Sequence, residues 1–193
     1  MGYLAVAVVL VGIGLFTWKL TRAGYESAEY TVLEADGSFE IRQYPDLMLA
    51  STGMRLQSQG GDGSFMRLFG YISGGNETEE KVAMTTPVFM EGNRDESNGQ
   101  MAFVIPQNVV SAGVPDPTAA DVQIREREGG RFAVIRFSGK INAETSAAAE
   151  KSLRKWIEQK GLTGEDAMET AGYDPPFTPG LLRRNEVLIR LAQ

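Results

Sequence analysis

Wound as a helix at about 100° per residue, residues 65–73 put Phe65, Leu68, Phe69 and Ile72 on one broad face. Tyr71 flanks that face on one side and Met66 on the other. The apolar arc spans roughly 220°, about twice what packing against a single core uses. Leu68 and Ile72 read as core. Phe65, Met66 and Phe69 form an excess edge, open to a flat apolar ligand. The same helix carries Arg67, and Arg183-Arg184 lie further along; guanidinium groups of this kind suit ligand carboxylates. These residues describe binding rather than catalysis. A general base would have to be a carboxylate such as Glu40 or Asp174 with a raised pKa. No paired-carboxylate spacing supports one, and the glycines at 60–63 lack the lysine of a phosphate loop.

Composition narrows the chemistry further. The 193 residues include no histidine and no cysteine. That excludes disulfides, thiolate zinc sites, cysteine nucleophiles and every histidine base or ligand. No clustered Asp/Glu loop of calcium-binding type is present. The net charge is −6, from 19 basic and 25 acidic residues, which argues against nucleic acid, whose phosphates need a basic face. Hydrophobic residues at 42% and charged residues at 23% are the balance of a globular chain with an ordinary core.

The first 22 residues stand apart. From Tyr3 to Trp18 there is no charge, with aromatic residues at both ends of the run. The stretch approaches the roughly 20 residues that cross a bilayer core. No Lys or Arg precedes it, and Arg22 and Glu26 occupy positions where a signal-peptide cleavage site needs small residues. Residues 1–22 are therefore expected to be an uncleaved single-pass transmembrane anchor, and 23–193 the folded domain. Lys19 and Arg22 favour a cytoplasmic over a periplasmic domain.

The elements that must position the helix follow from pattern and punctuation. After a polar linker over 23–30, residues 39–44 alternate as a half-buried strand stopped by Pro45, and 47–52 continue extended. A glycine-rich loop over 57–63 leads to Ser64, expected to cap helix 65–73, which Gly74-Gly75-Asn76 ends. Strands are expected near 82–91 and 101–106, around a polar loop over 92–100. Strands over 122–128 and 131–138 read as a hairpin around Gly129-Gly130. Residues 142–160 form a second helix with Ala149, Leu153, Trp156 and Ile157 on one face and Gly161 as its stop. Strands over 168–173 and 186–191 close the chain. The order repeats, which predicts a pseudo-duplicated α+β domain.

Four strings in this order and spacing resemble the SOUL/haem-binding protein family. They are Phe39-Glu40-Ile41-Arg42-Gln43-Tyr44-Pro45, Tyr71-Ile72-Ser73-Gly74-Gly75-Asn76, Lys81-Val82-Ala83-Met84-Thr85-Thr86-Pro87-Val88, and Ala171-Gly172-Tyr173-Asp174-Pro175-Pro176-Phe177-Thr178-Pro179, which runs into Arg183-Arg184-Asn185-Glu186-Val187. The resemblance covers roughly 28–192. It implies a distorted eight-stranded β-barrel from two βαββ repeats with two flanking helices. It also implies reversible binding of haem or a related tetrapyrrole, without established catalytic activity. The porphyrin is expected on the first helix and near the loop after the Gly-Tyr-Asp-Pro-Pro string, which makes Phe65, Met66, Arg67, Phe69, Tyr173, Phe177 and Arg183 the site residues. Animal members carry lysines near the positions of Gly70 and Thr178, where they could meet the propionates. With no histidine, iron would be ligated by Met66, Tyr173 or water.

The expected function is thus a membrane-tethered carrier or buffer of haem. The alternative is a binding module for other amphipathic small molecules, as in gyrase-inhibitor-like effector domains of the same duplicated architecture. Other residues of the strings read as structural. The prolines at 175, 176 and 179 stiffen their loop, Asp174 is expected to bond its own turn, the Asn185-Glu186 pair to satisfy buried backbone or to pair with Arg42, and residues 84–87 to pack.

Overall fold

The computed structural model describes residues 26–55, 61–92, 98–175 and 177–192. The expected anchor over 1–22 lies outside them. Among the described residues no helix is long and apolar enough to cross a membrane.

The chain runs β1 (Glu26–Ser27), β2 (Thr31–Asp36), β3 (Phe39–Tyr44), β4 (Leu47–Arg55), α1 (Ser64–Ile72), β5 (Thr85–Thr86), β6 (Val88–Glu91), β7 (Asn98–Val104), α2 (Gln107–Ala112), β8 (Val122–Arg127), β9 (Gly130–Phe137), α3 (Ala143–Gln159), β10 (Glu169–Gly172) and β11 (Asn185–Arg190). It is a mixed α+β fold. Nine strands form one antiparallel sheet in the order β2-β3-β9-β11-β10-β6-β7-β4-β8, and β1 pairs parallel with β5. Leaving β2 aside, the order is symmetric about the β10–β6 pair: β3-β9-β11-β10 on one side mirrors β8-β4-β7-β6 on the other. Each half contributes one long helix on one face.

The expected hairpin over 122–138 does not form. β8 pairs with β4, while β9 lies between β3 and β11. Phe39↔Ile135 through Tyr44↔Gly130 is followed by Leu47↔Arg127 through Thr52↔Val122 in unbroken register. The two stretches therefore make one ribbon that links opposite edges of the sheet. Gly129 sits where this ribbon crosses Pro45, and its N–H donates to Asp46 Oδ1 at 2.7 Å. A Cβ at Gly129 would stand 2.6 Å from the Pro45 carbonyl carbon and the Tyr44 oxygen, so glycine is required by a close backbone approach rather than by a tight turn.

The ribbon curls the sheet enough for Arg127 on β8 to reach Glu169 on β10 at 2.7 Å. The expected distorted eight-stranded barrel is nevertheless replaced by an open nine-stranded sheet, because β2 and β8 each have one partner and remain edges. β2, exposed at all six positions, has no apolar face with which to close a ring.

Three apolar clusters hold the layers. One lies under α3, built on Ala133, Ile135, Leu153, Trp156, Val187 and Ile189. Another lies under α1, with Ala50, Met54, Leu68, Ile72, Met101 and Phe103. The third (Tyr44, Leu49, Phe89, Phe132, Val134 and Leu188 among its members) covers the opposite sheet face, as strand alternation dictates.

Both expected long helices form. Asn142 caps α3 in a reciprocal box with Thr145, and Gly161 follows at φ +67°. At α1 the cap is Gly63, not Ser64; the Ser64 N–H donates to Asp62 Oδ1 at 3.1 Å and its hydroxyl is buried against Met101. The strand expected over 82–91 is shorter and split by Pro87, which has no N–H to give a ladder. A third helix, α2, adds to the two expected; it is a short element without a side-chain cap, and its sequence carries little helical signal.

Candidate ligand-binding site

α1 divides as its periodicity requires. Leu68, Tyr71 and Ile72 are buried, and the Tyr71 hydroxyl donates to the Pro115 carbonyl at 2.9 Å. Met66 and Phe69 remain 62% and 44% exposed. Half-buried Phe65 bridges the two zones. Its ring meets Phe103 edge-on at 5.3 Å and lies nearly parallel to Phe69, at 6.3 Å and 13°. Phe65, Met66 and Phe69 together form an apolar ledge on the outside of a helix whose other face is fully packed. Gly70 continues this ledge, and a side chain there would meet open space.

Arg67 does not reach over the ledge. Its Nη2 donates to the Gly53 carbonyl at 2.6 Å, its Nη1 to the Asp62 carbonyl, and its Nε to Thr52 Oγ1 at 3.0 Å, with Asp121 at 3.1 Å. It clamps α1 to β4, and its charge is already countered.

Phe177, Arg183 and Tyr173 belong to a different place, the β10–β11 connection. Phe177 is 85% exposed. Arg183 Nε donates to the Thr178 carbonyl at 2.8 Å, and Gly139 donates to the Gly180 carbonyl, tying the connection to the start of α3. Thr178 is buried, so this position, at which the resemblance implied a lysine in animal members, points inward here. Asp174 Oδ2 accepts the Arg184 N–H at 2.6 Å, across the foot of the connection.

Tyr173 is buried in an ionic network that the sequence showed only as a possible Arg42–Glu186 pair. The Glu186 carboxylate accepts from Arg42 Nη1 and Nη2 at 2.7 and 2.9 Å, from the Tyr173 hydroxyl at 2.8 Å, and from Arg184 Nη2 at 2.7 Å. Arg42 also bonds Glu40 at 2.7 Å and the Tyr44 hydroxyl at 3.0 Å, and Arg184 reaches Tyr30 at 3.1 Å. Neither Arg42 nor Glu186 is exposed at all.

Burial pushes the Glu186 carboxyl up, but hydrogen bonds and charge from Arg42 and Arg184 outweigh it and hold the carboxyl below its ordinary value. Burial, then the Glu186 charge, pushes the Tyr173 phenol well above its ordinary value. Burial raises Tyr44 to about 12, against the opposing effect of Arg42. The Tyr173 phenol, buried and donating to the Glu186 carboxylate, is held within this network and away from the α1 ledge.

The linkage signs follow. A depressed Glu186 stabilises the fold above the unfolded carboxylate value, about 4.3, and this contribution is lost as pH falls through the folded value. A raised Tyr44 stabilises fully below about pH 10 and loses its contribution as pH climbs toward 12. Thermal unfolding followed against pH is expected to show a plateau between these limits. Replacing Tyr44 by phenylalanine is expected to flatten part of the alkaline decline.

A family model described as SOUL heme-binding protein matches residues 25–190. Heme-binding protein 2 of Mus musculus is 32% identical over 161 residues, covering 78% of this chain and 77% of the relative. Heme-binding protein 1 of Xenopus laevis is 29% identical over 163 residues, covering 80% and 84%. Among solved structures, the EcmrR C-terminal domain superposes with a TM-score of 0.60 at 10% identity, covering 85% of this chain and 98% of that one. A hydrolase from Listeria innocua gives 0.57 at 7% identity, covering 83% and 94%. At such identities the likeness is one of fold alone.

Proposed function

The chain belongs to the SOUL heme-binding protein family, and from that premise we propose that it binds haem or a related tetrapyrrole on the outer ledge of α1. We further propose that it carries this ligand at a membrane to which residues 1–22 anchor it, with the domain on the cytoplasmic side. It acts as a carrier or buffer and not as an enzyme. The observation that carries the reading is the ledge: Met66 and Phe69 lie open beside Phe65, while Leu68 and Ile72 behind them are fully packed. A porphyrin is a flat apolar disc, and stacked aromatic rings with a thioether beside them suit it.

Without histidine, axial ligation by Met66 or water is weak and exchangeable, which fits a carrier better than an electron-transfer protein. Absorption spectroscopy on adding haem to the full chain tests this. A Soret shift at stoichiometric haem is expected. A stable low-spin spectrum that survives Met66→Ala would place the ligand elsewhere.

Among the described residues of α1 the propionates meet no dedicated cation, since Arg67 is committed to β4 and Gly70 has no side chain. Gly70→Lys is therefore expected to tighten haem binding several-fold and also to stabilise the helix by about 0.5–1 kcal/mol. Calorimetric titration and thermal unfolding of one variant read both. Arg67→Gln, by contrast, is expected to cost stability and to change haem affinity less than about threefold, under 1 kcal/mol.

The same missing cations favour a second reading, a module for other amphipathic molecules. Binding of metal-free porphyrin or hydrophobic cations without binding of haem would select it.

A further inference from the structure

The β10–β11 connection carries exposed apolar side chains that neither the core nor the α1 ledge uses. Phe177 is 85% exposed and Leu181 89%. The backbone beneath them is braced: Thr178 N–H donates to Pro175, Leu182 N–H to Pro179, Arg183 N–H to Gly180, and Gly139 N–H to the Gly180 carbonyl. A braced loop that holds Phe and Leu outward needs an apolar partner to cover them.

The path of the chain indicates that partner. At the foot of the connection Arg184 bonds the Tyr30 hydroxyl, and Tyr30 is four residues beyond Glu26. An extended chain advances about 3.3 Å per residue, so Glu26 lies within about 13 Å of Tyr30. Only residues 23–25 separate Glu26 from the expected anchor over 1–22, whose charge-free run ends at Trp18. A domain on so short a tether lies against the bilayer with its N-terminal side, and the connection is bonded to that side. Exposed Lys140, next to the bracing Gly139, supplies a cation at the rim. The net charge of −6 makes general attraction to an anionic leaflet unfavourable, so close approach depends on apolar insertion.

We propose that the β10–β11 connection is a lipid-contact surface, with Phe177 and Leu181 entering the bilayer interface that the anchor shares. The inference rests on the reading of residues 1–22 as an anchor. It moves Phe177 from the porphyrin site to the membrane, and it gives the carrier a fixed orientation in which haem dissolved in the bilayer has a short path to the domain.

The chain has no cysteine, so Leu181→Cys gives a single labelling site in the full-length protein. Lys151→Cys, at an exposed position of α3, is the control. Each variant is labelled with an environment-sensitive fluorophore, reconstituted into phosphatidylcholine vesicles containing phosphatidylglycerol, and floated on a density gradient. The expected result is flotation of both variants, with the 181 label alone shifted to the blue and quenched by spin-labelled lipid. That pattern corresponds to insertion of about 5–10 Å into the headgroup boundary. Flotation with an aqueous 181 label overturns the surface while the anchor stands. Failure to float overturns the anchor, and the surface with it. A blue shift without vesicles overturns the lipid assignment: growth with protein concentration then identifies a second copy as the occupant, and appearance on haem addition identifies the porphyrin.

Discussion

Arg42→Ala is expected to destabilise the fold by about 3–5 kcal/mol, the range seen when one partner of a buried ion pair is removed. Arg42 is wholly buried and joins Glu40, Glu186 and the Tyr44 hydroxyl in one set of hydrogen bonds. Without it, Glu186 keeps Arg184 and Tyr173 but loses both bonds from the guanidinium fork. Its carboxyl then rises toward or past its ordinary value, so acid destabilisation begins at higher pH than in the parent. Glu186→Ala alone leaves Arg42 charged with Glu40 as its remaining carboxylate. The double variant is expected to cost clearly less than the sum of the two, since residues in one network are coupled. Urea unfolding of the four proteins measures this. A loss below about 1 kcal/mol for Arg42→Ala would mean that water or a rearranged Arg184 replaces it.

The same network shows what the sequence could reveal and where it stopped. Arg42 and Glu186 each sit on an expected strand, so their pairing was legible as one of two roles for the Asn185-Glu186 pair, the other being to satisfy buried backbone. Arg184 and Tyr30 were not, because nothing local brings a residue of the N-terminal segment to the foot of the last strand. α1 was legible for the opposite reason: its two faces follow from period alone, and Leu68 inward with Phe69 outward needs no long-range information.

The Gly129-Gly130 step misled because two glycines between strands read as a hairpin turn. Gly129 answers instead to the backbone of Pro45, 84 residues away in sequence, and only the folded ribbon shows that contact. β2 escaped notice since none of its residues is buried, and a strand without an apolar face leaves no alternation to find. The direction of Phe177 was hidden too, for an aromatic residue beside Tyr173 says nothing about which of the two is packed.

Phe69→Asp is expected to weaken haem binding at least tenfold while the domain stays folded, and Leu68→Asp is expected to unfold it. The two positions are adjacent in sequence and differ in what surrounds them. Leu68 is wholly buried beneath α1; a carboxylate there has no cation and must either unfold the helix or be protonated at a cost of several kcal/mol. Phe69 is 44% exposed and touches Phe65 along one face, so aspartate there reaches water at little cost to the fold. On haem binding the demand reverses. The phenyl ring supplies apolar area against the porphyrin, where full burial of such a side chain contributes roughly 1.5–3 kcal/mol. A carboxylate in its place must be dehydrated beneath the disc and repels the propionates. Tenfold in affinity corresponds to about 1.4 kcal/mol, which partial loss of the first contribution plus the second exceeds. Circular dichroism and thermal unfolding report the fold, and haem titration reports the site. Unfolding by Phe69→Asp would mean that the outer ledge is core after all. A folded Phe69→Asp protein that binds haem as tightly as the parent would move the porphyrin off α1.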